Sequence, residues 1–330
     1  MPDVTVAILD KFHPHIKAAI EAAIPANWAV LFTAENGLAA RAAVLRDADI
    51  AFVMAAPMPK ELLAEVRRLR FIQKLGAGVD RIDLDACRKQ GIAVAKLHAG
   101  NSIPVAEHTI LLMLATYRQL PQIDRRTRAG AWSKEDARGM HRQLHHKTVG
   151  LVGFGAIGKE VAKRLRGFEV AILYYDPVRA PGDVEQNLGV NYADLDELVR
   201  VADIVSLHLP LLPQTAGIIN AERIGAMKSG AVLINCARGG LVDETALAAA
   251  LKEGRLFGAG IDAFATEPPV GSPLLELDNT VVTSHLAGAT IDNFSGVIAR
   301  AVENAKTVLR GDTLAETDVV IAPGRKVPAT

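Results

Sequence analysis

Short runs of β-branched and aliphatic residues recur along the chain, each followed by a stretch whose apolar positions fall at helical spacing. In the first hundred residues the runs are Val4 to Leu9, Trp28 to Phe32, Ile50 to Met54, Phe71 to Leu75 and Ile92 to Ala95. Strands buried on both faces read as unbroken apolar runs, and parallel neighbours need a crossover between them. The alternation therefore predicts a parallel sheet covered by helices on both faces. From Ser102 to about Arg128 the apolar positions of VAEHTILLMLATYRQL are too dense for a surface helix. A buried helix between lobes is predicted there, broken or kinked at Pro121. A second alternating block opens at Thr148, with strands near Val170 to Tyr175, Ile204 to Leu207, Ala231 to Asn235, Gly258 to Ile261 and Val281 to Thr283. The last helical pattern, about Ile291 to Arg310, aligns Phe294, Val297, Ile298, Ala301, Val302 and Ala305 on one stripe. The segment beyond Gly311 is predicted to be irregular. The result is an α/β chain of two doubly wound parallel-sheet lobes.

Composition sharpens this picture. A chain of 330 residues exceeds what one core usually serves, so two domains are expected. Lys plus Arg and Asp plus Glu both number 37, which favours a small-molecule partner over nucleic acid or an anionic membrane. Cys87 and Cys236 are the only cysteines and have no C-x-x-C spacing, so neither a disulfide framework nor a metal site is expected, and a reducing cytoplasm fits. The N-terminus enters an apolar run without a basic region or cleavage site, and no apolar stretch reaches the roughly 18 residues a membrane span needs. Neither export nor membrane insertion is expected.

The strongest local signal is GFGAIG at 153 to 158, set between the apolar run ending at Val152 and the helical pattern KEVAKRLRGF. In that context Gly153 permits a tight turn, Gly155 lets the backbone approach a pyrophosphate, and Gly158 lets helix pack on strand. The first helical turn, with Ala156 and Ile157, then offers free N–H groups and a partial positive charge. Asp176, in YYDP at the end of the next strand, is placed to accept hydrogen bonds from a ribose diol and to repel a 2′-phosphate, so NAD is expected. Arg179 lies close enough to blur that preference.

Three polar segments follow later strands of the same block, at the sheet edge where open α/β folds bind ligands. They are INCARGG with Arg238, DAFATEPP with Asp262 and Glu267, and TSHLAGA with His285. An arginine before two glycines can present a planar fork to a carboxylate. A carboxylate beside a histidine favours its protonated form and fixes its tautomer. Singly, Arg238 reads as a flanking salt bridge, Glu267 as a loop charge and His285 as a satisfied strand-end histidine. Their joint occurrence after a filled dinucleotide fingerprint favours hydride transfer to a 2-keto acid.

With these residues in place the chain resembles the D-isomer-specific 2-hydroxyacid dehydrogenase family over nearly its full length. The carrying segments are KLGAGVDRIDLDAC (74 to 87), VAEHTILLMLA (105 to 115), VGFGAIG (152 to 158), LHLPLLPQT (207 to 215), INCARGGLVDETAL (234 to 247), GAGIDAFATEP (258 to 268) and SHLAG (284 to 288). The resemblance, to members like the glyoxylate or hydroxypyruvate reductases and to the related phosphoglycerate dehydrogenases, implies that Arg238 binds substrate, His285 donates the proton and Glu267 is its partner. It also implies substrate contacts from Ala77, Gly78 and Val79. Cofactor contacts are implied for His208, Pro210, Thr215, Cys236, Ala237, Asp262 and His285 in addition to the glycine turn. A Rossmann lobe at 102–288 inserted into a flavodoxin-like substrate lobe of 1–101 and 289–330 is expected, as is a homodimer reached by the segment around RAGAW (128 to 132).

Of three other functions found in the family, two remain as alternatives, phosphoglycerate oxidation and a sensor role. Formate dehydrogenases pair the histidine with Gln, so Glu267 argues against formate. Phosphoglycerate dehydrogenases carry basic or hydroxyl residues where this chain reads VMAAPMP, with Met54, Ala55, Ala56 and Met58, and many have a long C-terminal regulatory extension. Glyoxylate, hydroxypyruvate or a larger apolar 2-keto acid is therefore preferred, with no discrimination among them. Some relatives with the complete Arg, Glu and His set act as NADH-binding corepressors, a sensor role that a 2-keto acid screen would separate from catalysis.

Overall fold

A computed structural model describes residues 3–323. They form two compact units, one built from the chain up to Asn101 together with the chain from Thr290 onward, the other from Ser102–Ala289. The first unit contains β1 (Val4–Ile8), β2 (Trp28–Phe32), β3 (Ile50–Val53), β4 (Phe71–Lys74) and β5 (Ala93–Ala95). These pair in parallel in the order β2-β1-β3-β4-β5, the flavodoxin-like arrangement. The whole of β3 is buried, as its unbroken IAFV run requires of a central strand covered on both faces. The helix Ile291–Arg310 returns to this unit and buries Val297, Ile298, Ala301, Val302 and Ala305 in the same core as Val6, Ile8, Phe52 and Phe71.

The segment beyond Gly311 departs from the irregular path expected of it. Val319–Ile321 forms a short strand that pairs antiparallel with β5 and closes the sheet edge. Its anchor is polar: buried Asp318 accepts Arg300 Nη2 at 2.6 and 2.8 Å and the His98 N–H at 2.9 Å, and its carbonyl accepts the Lys96 N–H. Three apolar residues give no readable periodicity, so the strand is legible only through the contacts of Asp318.

The second unit is built on a seven-stranded sheet, parallel throughout. In chain order its strands are β6 (Thr148–Val152), β7 (Ala171–Tyr175), β8 (Val190–Tyr192), β9 (Ile204–Leu207), β10 (Val232–Asn235), β11 (Gly258–Ile261) and β12 (Thr280–Val282), and the strand Val319–Ile321 becomes β13. The spatial order is β8-β7-β6-β9-β10-β11-β12, which reverses direction between β6 and β9 and opens a crevice at their carboxyl ends. The edge strand β8 and the helix Lys134–Met140 are additions to the elements read from the sequence.

The dense apolar helix, Ser102–Tyr117, belongs to this unit and lies very close to the sheet. Gly258 and Gly260 of β11 allow that approach: a Cβ on Gly260 would stand 2.9 Å from Leu112 Cβ, and one on Gly258 2.6 Å from Thr116 Cγ2. The helix ends ahead of Pro121, where Gln119 takes left-handed angles of φ 47 and ψ 42. Pro121 sits in the first turn of a new helix, Leu120–Arg128, where its missing N–H leaves no bond unmade.

Candidate active site

Beyond β6 the chain turns through Gly153 at φ +101, a conformation that L side chains rarely adopt. A Cβ there would also stand 2.7 Å from the backbone carbonyl of His208. At Gly158 it would stand 2.4 Å from the Gly153 oxygen, so the helix Ala156–Leu165 starts against the turn only because both positions lack side chains. Gly155 differs from both: an added Cβ meets nothing within 4 Å. Open space over a glycine at a helix N-terminus, with Ala156 and Ile157 in the first turn, fits a pyrophosphate cradle. Asp176 follows β7, and its carboxylate accepts the Phe154 N–H at 2.8 Å and the Val178 N–H at 3.1 Å. A carboxylate has about four acceptor sites, so capacity for a ribose diol remains.

The loop after β9 lies against the glycine turn and is stiffened by Thr215. That buried hydroxyl donates to the Pro210 carbonyl at 2.7 Å and accepts the Leu212 N–H at 2.8 Å. His208 places Nε2 3.0 Å from Ser206 Oγ, and desolvation draws its pKa well below the usual histidine range. A neutral imidazole results. Pro210 is exposed.

Arg238 stands on the turn after β10, and Asn235 shapes that turn from within. Its amide nitrogen donates to the Arg238 carbonyl at 2.9 Å, and its amide oxygen accepts the Ala237 N–H at 3.0 Å. The guanidinium Nη1 donates to the Ala237 carbonyl at 2.7 Å. Next in the chain, Gly239 touches the loop after β11 so closely that a Cβ would stand 1.8 Å from the Phe264 carbonyl carbon. That loop carries Glu267.

Asp262, fully buried at the end of β11, organises the loop that follows β12. Its side chain accepts Thr283 Oγ1 at 2.6 Å, the Leu286 N–H at 2.9 Å and the Ala287 N–H at 3.0 Å, while its backbone oxygen accepts the His285 N–H at 2.8 Å. His108, from the helix Ser102–Tyr117, adds Nε2 at 3.1 Å from Thr283 Oγ1. His285 is thereby held at φ +54, unusual for a residue with a side chain and of the kind that gathers at functional sites. Its Nδ1 lies 2.7 Å from Glu267 Oε1, which also accepts the Phe264 N–H at 3.3 Å. His285 is more exposed than its partner, 42% against 19% of the side chain, so the ring reaches solvent while the carboxylate backs it.

The structure thus joins Glu267 directly to His285 and brings the Arg238 turn against the Glu267 loop through Gly239. Cys236 and Ala237 are buried beside them, and burial pushes the Cys236 thiol up to about 12. Asn235, Thr283 and His108 were missed as positioning groups. Asn235 and Thr283 are polar residues at the ends of apolar strand runs, which is the signal that could have found them; His108 carries none beyond its place in an apolar helix. Among the described residues no group of three His, Cys, Asp or Glu could hold a metal ion.

Ala77, Gly78 and Val79 belong to the first unit, in the loop after β4, with Ala77 exposed and the other two half-buried. In the same unit Asp10 accepts the Ala55 and Ala56 N–H groups at 2.7 and 2.8 Å. The Lys74 ammonium donates to the Met54 carbonyl, and Arg81 Nη1 donates to the Ala55 carbonyl at 3.3 Å. The apolar VMAAPMP loop is therefore bordered by two cations from other segments, which its own sequence does not reveal.

Residues 110–287 match the family model for the D-isomer specific 2-hydroxyacid dehydrogenase, NAD binding domain. Over 277 residues the chain is 40% identical to the D-3-phosphoglycerate dehydrogenase of Methanocaldococcus jannaschii, a match covering 83% of this chain and 52% of that protein. The chain spans about half the length of the curated relatives it matches. Among solved structures, the NAD-dependent formate dehydrogenase from Staphylococcus aureus in complex with NAD aligns with a TM-score of 0.85 at 26% identity, covering 97% of this chain and 99% of that one. The holo form of Rhodotorula graminis D-mandelate dehydrogenase aligns with a TM-score of 0.85 at 27% identity, covering 98% and 100%. The chain belongs to the D-isomer specific 2-hydroxyacid dehydrogenase family, and its second unit carries that family's NAD binding domain.

Proposed function

We propose that this protein is an NAD-dependent oxidoreductase that interconverts small 2-keto acids and D-2-hydroxy acids. The observation that carries the reading is the His285 to Glu267 contact of 2.7 Å, held on loops beyond the sheet that bears the glycine turn. Bound NADH supplies a hydride for carbon 2 of the keto acid. Arg238 holds the substrate carboxylate with its planar fork, which fixes the carbonyl for attack. With Nδ1 engaged by Glu267, Nε2 of His285 is the ring nitrogen left to give its proton to the carbonyl oxygen. Glu267 holds the orientation of the ring, and Asp262 with Thr283 holds the backbone on which the ring stands. In oxidation the same nitrogen accepts the hydroxyl proton.

A second reading, a phosphorylated 2-hydroxy acid such as D-3-phosphoglycerate, draws on the Lys74 and Arg81 contacts bordering Met54 and Ala55 and on the name of the archaeal relative. Formate is disfavoured, because Glu267 stands where formate dehydrogenases carry Gln. A homodimer is proposed from the apolar side chains presented between 120 and 140, where Trp132 is 84% and Leu120 51% exposed. Two free, buried thiols fit a cytoplasmic setting, and no helix among the described residues is long and apolar enough to cross a membrane.

A spectrophotometric screen with NADH tests the reading, using glyoxylate, hydroxypyruvate, pyruvate, a larger apolar 2-keto acid and 3-phosphohydroxypyruvate. NADH oxidation with an unphosphorylated acid is expected. Turnover of the phosphorylated acid alone would select the second reading, and NADH binding without turnover of any would favour a sensor.

A further inference from the structure

Asp176 and Arg179 send opposite signals about the coenzyme. An acidic residue at the end of the second strand of such a sheet meets a ribose diol, whereas an arginine nearby accommodates a 2′-phosphate. Both stand on the segment after β7, three positions apart, Asp176 half-buried and Arg179 exposed. The guanidinium, however, is already engaged. Arg179 Nε donates to Glu185 Oε1 at 2.9 Å and Nη2 donates to Glu185 Oε2 at 3.0 Å, a two-point fork on one carboxylate. Its carbon also lies 5.5 Å from the ring centre of Tyr192.

Glu185 is itself fixed. It stands on the helix Gly182–Leu188 and accepts Tyr174 Oη at 2.6 Å, and the same phenol oxygen accepts the Ala180 N–H at 2.9 Å. Only 13% of its side chain is exposed, against 65% for Arg179. Exposed ion pairs in general are loose and contribute little, but a carboxylate anchored from behind by a phenol and gripped at both oxygens is a better trap. The hydrogen bonds from Arg179 and Tyr174 draw the Glu185 carboxyl down to about 2, so it is ionised wherever the protein works.

We propose that Glu185 is a specificity-determining residue for the coenzyme: it occupies the guanidinium of Arg179, which would otherwise be available to a 2′-phosphate beside Asp176. This rests on the proposed placement of the adenosine ribose at Asp176. The preference for NAD(H) then has two parts, repulsion by Asp176 and sequestration of the one nearby cation on the turn that could offset it. Disengaging Arg179 would convert its turn into a 2′-phosphate contact without any change at Asp176.

The variant E185Q tests this, because glutamine keeps an oxygen for Tyr174 and the side-chain volume while removing the charge that binds Arg179. Dissociation constants for NADH, NADPH and adenosine 2′,5′-bisphosphate are measured by calorimetry on the intact protein, E185Q and the double variant E185Q/R179A. The expected result is tighter binding of NADPH and of the bisphosphate by E185Q, on the order of tenfold for a freed charge-assisted contact, with NADH affinity little changed. The double variant should return to the starting affinity. A gain that survives in the double variant would show that loss of negative charge alone is responsible and would overturn the role of Arg179, as would an unchanged NADPH affinity in E185Q. Failure of the unsubstituted protein to bind NADH would instead defeat the coenzyme reading on which this one stands.

Discussion

His285 Nδ1 and Glu267 Oε1 lie 2.7 Å apart although they come from loops beyond different strands, β12 and β11. The contact commits Nδ1 to the carboxylate and leaves Nε2 for chemistry. Replacing Glu267 by Gln keeps the shape of the side chain and removes the negative charge that faces Nδ1. The ring then loses the carboxylate that backs it, and Glu267→Gln is expected to lower kcat by on the order of tenfold or more with NADH binding retained. His285→Gln should lower kcat by on the order of 10² to 10⁴ with NADH binding retained. Steady-state kinetics with hydride transfer shown to limit the rate, together with NADH dissociation constants, check both; an unchanged kcat in Glu267→Gln would remove Glu267 from this role.

Arg238 is expected to act on substrate and hardly at all on coenzyme. Lysine keeps the charge but not the planar fork, so Arg238→Lys should lower kcat/KM for the keto acid on the order of 100-fold. The NADH dissociation constant should stay near that of the unsubstituted protein. Equal loss of both would make Arg238 structural.

Gly239 joins two catalytic loops by having no side chain. A Cβ 1.8 Å from the Phe264 carbon cannot be accommodated without displacing the loop that leads to Glu267. Gly239→Ala should destabilise the protein by about 1 to 3 kcal/mol, the usual range for overpacking, and lower kcat more than it raises KM. Denaturant titration and steady-state kinetics measure the two effects, and normal kcat in a folded variant would show that the approach of the loops is unimportant.

Much of this was legible in the sequence, for physical reasons that differ from residue to residue. Unbroken apolar runs announced the buried strands, and GFGAIG between strand and helix announced a turn whose steric demands the structure shows at Gly153 and Gly158. Arg238, Glu267 and His285 were visible because charged residues at the ends of apolar strands of one sheet gather at one edge. What stayed hidden is held by tertiary contacts. The pairing of β13 depends on Asp318 meeting Arg300 and His98, and the cations beside Met54 come from Lys74 and Arg81. The break at Gln119 was placed at Pro121 because proline is the readable signal, whereas the left-handed residue that ends the helix is a glutamine.

Neither cysteine is expected to be a nucleophile. Burial pushes the thiol of Cys87 up to about 11 and that of Cys236 up to about 12, so both stay protonated at neutral pH, and the thiolate is the reactive form. Iodoacetamide should leave the folded protein unlabelled by mass spectrometry and modify both residues once denaturant is added. Rapid labelling of Cys236 in the folded state would mean that the turn bearing Arg238 opens readily.

The central claim, hydride transfer from nicotinamide to a 2-keto acid assisted by His285, is tested most directly by following the hydrogen itself. NADH carrying deuterium at the transferred position of C4 is incubated with the purified protein and glyoxylate, hydroxypyruvate, pyruvate or 3-phosphohydroxypyruvate, and each product is analysed by mass spectrometry and chiral chromatography. The expected result is a 2-hydroxy acid with one deuterium at carbon 2, of D configuration wherever that carbon is a stereocentre, and on the order of 10²-fold less of it from His285→Gln in the same time. Absence of deuterium from carbon 2 of every product, from protein that binds NADH, would contradict the account.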